Sequence, residues 1–425
     1  MHSPAGPPLL SRGVVALVAA LAAIYLVSQF LRNSVGVIAP DLAREIGLSA
    51  GEIGLLSSAF FFSFAAAQLP LGIAIDRYGA KRCMLVCAAI AFAGTLVFAI
   101  ATTPAGLISA RILMGLGSSC YLMAPLALYA RRFPPERFTV LASIQIGVGT
   151  VGTLLVTAPL AWASAVIGWR ATFFVVAGLV VLCAGLLAVV VREDGAHHGP
   201  AAKGETLREN LAGIAEVTRM RGFWPMFLMN VVTYSSYALI VGLWGGPYLA
   251  HVYGYGLTAR GDLLMLPAIT HIVGVVLAGQ LQRRVGSYVP LVLTGAVLTA
   301  ASLGLLAVVG KPEPWLLALW LAVFGLCPAY LPILIAHGRS LLPPHLVGRG
   351  MTLFNVGSMG GVFVVQFASG ALIDRFAPIA GAYPLGAYRA VFAVQAVAVL
   401  IAVAAYAATR FGKPGEASVT VSTSR

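Results

Sequence analysis

The sequence predicts an all-α membrane fold of about twelve spanning helices, arranged as two pseudo-symmetric halves of six. Composition, the spacing of apolar runs and an internal repeat carry that expectation. Of 425 residues, 60% are hydrophobic and only 10% charged, and the mean hydropathy is +0.93. A soluble domain with that balance would expose more apolar surface than water tolerates, so the bilayer has to be the solvent. A spanning helix uses about 20 mostly apolar residues, and about twelve of them with short connections consume a chain of this length.

Apolar runs bounded by charge, Gly and Pro place the first six spans at 13–39, 50–75, 82–102, 104–131, 137–165 and 168–191. The second six fall at 222–252, 258–283, 289–310, 314–341, 347–374 and 386–410. The first run continues past any signal-peptide cleavage point and is read as a membrane helix. Residues 192–221 are too charged to cross a bilayer and form a linker in which Thr206 to Met220 has the pattern of a surface amphipathic helix. The expected organisation is a first half at 1–191, this cytoplasmic linker, a second half at 222–410 and a polar cytoplasmic tail at 411–425.

The net charge of +13 does not call for a nucleic-acid partner, because the charges lie in loops rather than on one folded face. With the N-terminus cytoplasmic, roughly 19 Lys and Arg fall on that side, roughly 6 on the other and about 2 inside spans. Positive-inside topology in a bacterial-type inner membrane, with both termini cytoplasmic, accounts for the basicity. Cys83, Cys87, Cys120, Cys183 and Cys327 sit in apolar runs without metal or redox spacing. No metal or other cofactor is expected, and neither a nucleophile–base pair nor a phosphate-binding Gly loop suggests an enzyme.

The two halves repeat landmarks in the same order. Gly72-Ile-Ala-Ile-Asp76-Arg77-Tyr-Gly79 follows the second span, and Gly279-Gln-Leu-Gln-Arg283-Arg284-Val-Gly286 follows the eighth. Pro134-Pro135 answers Pro343-Pro344, Gln145-Ile-Gly147 answers Asn355-Val-Gly357, and Gly168-Trp169-Arg170-Ala171 answers Ala387-Tyr388-Arg389-Ala390. The loop from Gly72 through Asp76, Arg77, Gly79, Lys81 and Arg82 resembles the signature loop of the major facilitator superfamily. The resemblance covers essentially the whole chain and implies an alternating-access transporter. In that family the loop is an inter-helix latch for the outward-open state, a role the match gives to these six residues. Positive-inside bias alone is the alternative account of Arg77, Lys81 and Arg82.

Arg111-Ile-Leu-Met-Gly115-Leu-Gly117 in the fourth span resembles a second family motif, whose Arg lies near the coupling machinery. A mid-span Arg costs about 2.5–3.5 kcal/mol on insertion scales, so it must face a wet cavity or a partner. Two roles stay open for Arg111, coupling or holding backbone carbonyls between helices. Arg32 lies eight residues before Pro40, about 12 Å from the expected end of its span and close to the midplane. Tyr25, Ser28, Gln29, Arg32 and Asn33 share one helical face, a polar stripe suited to line a central cavity. Aligning the repeats places Leu239 opposite Arg32, so this charge is no part of the repeated scaffold. The run Tyr25 to Leu42 resembles the first helix of the family's organic-anion branch, which implies a sugar acid or related carboxylate as cargo. No Asp or Glu falls in the middle of any span, and a guanidinium binds carboxylate through two parallel hydrogen bonds.

In the second half Asn230, Tyr234 and Tyr237 are candidate solute contacts, joined by Gln145 and Asn355, which the repeat pairs. His271 titrates near neutral pH and is the candidate proton carrier, with a structural role as the alternative. The expected protein is a monomeric carrier of a small organic anion, coupled to protons or working by exchange. The alternatives are an efflux pump of the same fold, a metal-uptake carrier using Met226, Met229, Met265 and His271, and a transport-like receptor, for which the short tail leaves little signalling material.

Overall fold

Every predicted apolar run forms a helix in the computed structural model, which describes residues 11–191, 207–220 and 222–409. Among these residues twelve helices are long and apolar enough to cross a membrane. Ten of them, the second to the ninth together with the tenth and twelfth, lie within a few residues of the predicted limits. These are Ala50–Tyr78, Ala80–Ile100, Pro104–Ser118 with Met123–Arg132, Pro135–Leu155 with Ala158–Ile167, Trp169–Val190, Phe223–Tyr253, Leu257–Val285, Val289–Val309, Pro314–Leu341 and Leu385–Ala407. The eleventh, Val347–Ile373, ends one residue before its predicted limit.

The first span differs from expectation. Arg12–Asn33 breaks at Ser34 and resumes as Val35–Ile46, running through Pro40 instead of stopping there. Pro40 lacks the N–H that would bond the Gly36 carbonyl, and that oxygen lies against Gly246 of the seventh span, where an added Cβ would sit 1.9 Å away. The seventh span loosens into a π turn at Ile240–Trp244, and the tenth tightens into a 3₁₀ turn at Cys327–Tyr330. Irregular turns inside membrane helices re-aim backbone groups, and both fall near mid-chain depth.

The repeat has a physical counterpart. The Arg170 guanidinium caps the Ala101 carbonyl at the end of the third span (2.8 Å). In the second half Arg389 caps the Ala307 and Val308 carbonyls of the ninth (2.6 and 3.1 Å). One sequence landmark thus performs one job twice, satisfying carbonyls that a helix end leaves without donors.

Among the described residues Arg77, Lys81, Arg82, Arg131, Arg132, Arg137, Arg283, Arg284, Arg339 and Arg349 mark one end of the bundle, here called the basic end. At the opposite end the halves are shut against each other. A Cβ on Gly36 would lie 2.6 Å from the Val241 carbonyl oxygen, one on Gly54 2.8 Å from the Gly370 Cα, and one on Gly261 3.0 Å from the Ala158 Cα. Arg260 donates to Asp41 across the halves at 2.6 Å. Asp374 accepts from the Ser49 hydroxyl (3.2 Å), the Gly51 N–H (2.8 Å) and the Tyr383 hydroxyl (3.0 Å), so the end of the eleventh span caps the start of the second. Tyr383 also accepts from the Ala50 N–H at 2.9 Å. Toward the basic end, Gly72 and Gly147 have open space where a Cβ would sit.

The helix Leu207–Arg219 lies in the predicted amphipathic stretch. Gly213 faces the Arg349 side chain, and Glu216 pairs with His345 at 3.5 Å, tying this helix to the approach to the eleventh span.

Candidate functional site

The break in the first span exposes backbone carbonyls deep in the bundle, and Arg111 covers them. Its guanidinium donates to the carbonyls of Leu31 (2.5 Å), Arg32 (3.0 Å) and Leu56 (3.4 Å), and it is fully buried. The ring of Phe60 lies under it, 4.7 Å from the guanidinium carbon. Hydrogen bonds from a charged donor are worth about 1.5–3 kcal/mol each, which offsets the cost of burying this cation. Its donors are committed to the scaffold.

Arg32 sits one helical turn away in a different situation. Its guanidinium carbon lies 4.7 Å over Phe64, and Phe64 stacks on Phe60 with ring centroids 6.1 Å apart. The two arginines thus rest on two phenyl rings spaced one turn along the second span. Arg32 is 8% exposed and has no acid at ion-pair distance among the described residues, and its Nε has no hydrogen-bond partner. The first helix runs 12–46, so Arg32 stands about 4–5 Å from its middle at 1.5 Å per residue. The extension beyond Pro40 keeps it central.

Other unpaired polar atoms gather nearby. Gln29 Oε1 and Asn33 Nδ2 on the first span and Gln366 Oε1 on the eleventh are buried without partners. Asn33 and Gln366 converge on the π turn, where a Cβ on Gly242 would lie 3.3 Å from Asn33 Oδ1 and 3.6 Å from Gln366 Nε2. Tyr25 packs against Gly149 of the fifth span, within electrostatic reach of Arg32 and Tyr234. Tyr237 stacks on His271 with ring centroids 4.3 Å apart. His271 Nδ1 lies 3.1 Å from the Gly325 carbonyl, which can only accept, so Nδ1 carries a proton and Nε2 is the nitrogen left to gain or lose one. Native structures rarely leave buried polar atoms unpaired, so such a cluster marks a place where a ligand or water completes the hydrogen bonding.

The structure therefore brings Tyr25, Gln29, Arg32, Asn33, Tyr234, Tyr237 and His271 to one region, with the polar stripe ending at the Gly36 closure. It does not bring Gln145 or Asn230 into the same open set. Gln145 accepts from Tyr129 (3.1 Å) and donates to the Leu21 and Tyr121 carbonyls (3.0 and 3.4 Å), pinning the first, fourth and fifth spans. Asn230 donates to the Phe354 carbonyl and accepts from Ser358 (3.0 Å). Asn355 is half-buried on the eleventh span. Of the predicted latch, Gly79 has φ +87°, a conformation that favours glycine, Lys81 donates to the Ala188 carbonyl (2.8 Å), Arg77 lies over Tyr78 and Arg82 is exposed. The Asp76 side chain lies outside the described residues. Gly72 makes no close helix approach.

A family profile described as Major Facilitator Superfamily matches residues 21–327 and 226–424. The chain belongs to the Major Facilitator Superfamily. Among its relatives is a probable sulfoacetate transporter of Cupriavidus necator, 25% identical over 62% of this chain and 63% of that one. A probable galactarate/D-glucarate transporter of Escherichia coli K12 is 24% identical over 60% and 64%. A chloramphenicol resistance protein of Streptomyces lividans is 26% identical over 58% and 61%. In each case the match spans less than two thirds of the relative's length. The crystal structure of a bacterial homologue of the human lysosomal transporter Spinster, inward-facing and unoccupied, superposes with TM-score 0.76 at 19% identity over 93% of this chain and 96% of that one. That likeness shows the superfamily fold.

Two features of this superfamily member escape a reading by hydropathy. Phe64 is hidden in the run Phe60-Phe61-Phe62-Ser63-Phe64, although its spacing of four from Phe60 is a signal once two buried arginines need aromatic faces. Asp41, just past the predicted first span, and Arg260, in the first turn of the predicted eighth, look like ordinary span-end charges. Their opposite signs at matching ends of the first and eighth spans are the only hint of a pair.

Proposed function

We propose that this chain is a secondary transporter that moves a small organic anion, most simply a carboxylate, by alternating access. The observation that carries the reading is Arg32: a guanidinium near mid-depth, resting on Phe64, with no acidic partner among the described residues and with unpaired polar atoms of Gln29 and Asn33 on the same span. A carboxylate would supply the missing charge and accept two parallel hydrogen bonds. The halves 1–191 and 222–410 are the bodies that rock against each other, joined through 192–221 in an inner membrane with the basic end cytoplasmic. The seal at the opposite end supports one limiting state of that cycle, open toward the basic end.

In this reading Tyr25, Gln29, Asn33, Tyr234 and Tyr237 contact the solute, and Asn355 lines its path. Arg111 shapes the first span, while Gln145 and Asn230 fix helix positions. His271 Nε2 is the proton acceptor for symport; exchange needs no such group. Relatives named for sulfoacetate and for galactarate and D-glucarate favour an anion. The chloramphenicol-resistance relative favours the second reading, an efflux pump for amphipathic compounds.

The test is uptake into proteoliposomes of carboxylate mixtures under an imposed pH gradient, with Arg32→Gln and His271→Gln beside the parent. Arg32→Gln is expected to lower uptake at least about 100-fold, the scale of a lost bidentate charged contact. His271→Gln is expected to abolish the response to the gradient while leaving counterflow. Equal uptake by Arg32→Gln would refute the anion site, and export of hydrophobic compounds alone would favour efflux.

A further inference from the structure

The sealed end holds a histidine that the cargo site does not use. His251 is half-buried in the last turn of the seventh span. Its Nδ1 lies 2.6 Å from the Tyr388 hydroxyl of the twelfth span and 3.3 Å from the Tyr383 backbone N–H in the connection before that span. A hydroxyl oxygen at 2.6 Å is too close for a ring carbon, so the atom facing it is nitrogen. A backbone N–H can only donate, so Nδ1 accepts and carries no proton. The sealed end therefore holds a neutral His251 with its proton on Nε2.

Tyr383 is also a strap of the seal. Its hydroxyl donates to Asp374 at the end of the eleventh span (3.0 Å) and accepts from the Ala50 N–H at the start of the second (2.9 Å). His251 thus holds the main chain of the residue whose side chain joins the halves. The charges within reach of the ring are cations, Arg260 of the eighth span and Arg44 near the end of the first. Both lean on the one carboxylate of Asp41, at 2.6 and 3.9 Å. Asp374 and Glu52 act on the Tyr383 hydroxyl instead. On the seventh span itself, Tyr248 and Tyr253 donate to the Gly310 and Pro312 carbonyls.

A proton on Nδ1 would set N–H against N–H at Tyr383 and add a third positive charge to two guanidinium groups sharing one carboxylate. Parting the halves takes Arg44 away, admits water to the ring and frees Tyr383 from Ala50, so its main chain can turn aside. Resting on the alternating-access reading but not on the anion, we propose that His251 is a proton-binding site that unseals this end: the ring takes its second proton only when the halves part, so acid on that side holds the transporter open there. The proton adds to the Nδ1 lone pair and returns to the same side when the halves shut. His251 accordingly sets access, whereas a carrier such as His271 sets driving force.

The test uses the purified whole chain in detergent with one reporter thiol, Ala39→Cys, buried at the seal, after the five native cysteines have been replaced. At each pH its rate with a polar maleimide is divided by that of the same thiol in the chain unfolded in dodecyl sulfate, which removes the thiol's own titration. An imidazole that binds protons near pH 6.5 in the unsealed state alone multiplies the weight of that state about tenfold between pH 8 and pH 5.5, where ordinary carboxylates stay ionised. The normalised rate is expected to rise by that factor with His251 present. It is expected to stay flat in His251→Gln, whose amide oxygen keeps an acceptor for the Tyr383 N–H without titrating. His251→Lys, a fixed cation, is expected to label fast at both pH values. A flat rate with His251 present, or a rise that survives His251→Gln, overturns the proton site, while faster labelling of Asp41→Asn leaves alternating access standing. A thiol that stays unreactive in every variant, Asp41→Asn included, overturns both.

Discussion

Replacing Asp41 with Asn takes the negative charge from Arg260 at the sealed end while keeping the side chain's size. Arg260 is 2% exposed, and its Nε and Nη1 already lack partners, so its single strong interaction is the 2.6 Å bond to Asp41. Breaking a fully buried pair by removing one partner costs about 3–5 kcal/mol. Asp41 is 24% exposed, so water shares the load and about 2 kcal/mol is the better figure. Parting the two halves lets water reach Arg260, and the loss therefore falls on the sealed state rather than on the fold as a whole. At about 1.4 kcal/mol per decade, 2 kcal/mol raises the population of the unsealed state ~30-fold. The assay places one reporter thiol at Ala39, which is fully buried at the seal, after the five buried cysteines have been replaced. Reaction of Ala39→Cys with a polar maleimide in detergent then reports opening. Asp41→Asn is expected to speed the reaction ~30-fold, and exchanging the pair as Asp41→Arg with Arg260→Asp to slow it again. A rate unchanged by Asp41→Asn, with the unfolding temperature also unchanged, would refute the reasoning.

Three further outcomes follow from the same contacts. Arg111→Ala removes the charged donor shared by the carbonyls of Leu31, Arg32 and Leu56, leaving Leu31 its bond from the Ser34 hydroxyl (3.1 Å) and Leu56 its place in the second-span helix, and is expected to cost about 3 kcal/mol, seen as a clear drop in unfolding temperature, whereas Arg111→Lys recovers part of it through one ammonium. Gly36→Val puts a side chain where the Val241 carbonyl lies 2.6 Å from the Cβ position, so the Ala39 thiol is expected to react at the fast limit with or without Asp41. The Tyr383 hydroxyl outside the spans is held above the ordinary tyrosine value first by burial, against an opposing pull from the Ala50 N–H, with its bond to Asp374 and the nearby charges of Asp374 and Glu52 adding to the rise. Because the closed form holds this proton more tightly, its stabilisation is complete below about pH 10 and is lost as pH climbs past the raised value. Labelling at position 39 is thus expected to accelerate in strong alkali, and Tyr383→Phe to remove that acceleration.

The twelve spans are legible in the sequence because hydropathy reads them directly, and Arg32 is legible because a charge amid apolar residues stands out. What hydropathy does not carry is geometry. The break at Ser34 has no Gly or Pro of its own, since Pro40 lies six residues later inside the resumed helix, so the end of the first span reads as Pro40 when it is Ile46. Gln145, Asn230 and Gln366 look alike in sequence. Only the positions of neighbouring carbonyls make the first two fully bonded and leave Gln366 with an open oxygen. The fate of Arg111 depends likewise on carbonyls that the break at Ser34 uncovers, and no residue type records them.

The seam formed by Gly36, Gly54, Gly246 and Gly261 brings main chain against main chain. Such a joint has no rotamers to freeze when it shuts and none to release when it parts, so its two positions differ little in side-chain entropy. The swing between them should therefore depend only weakly on temperature, with the ion pair and the cargo, rather than thermal disorder, deciding which way the molecule faces.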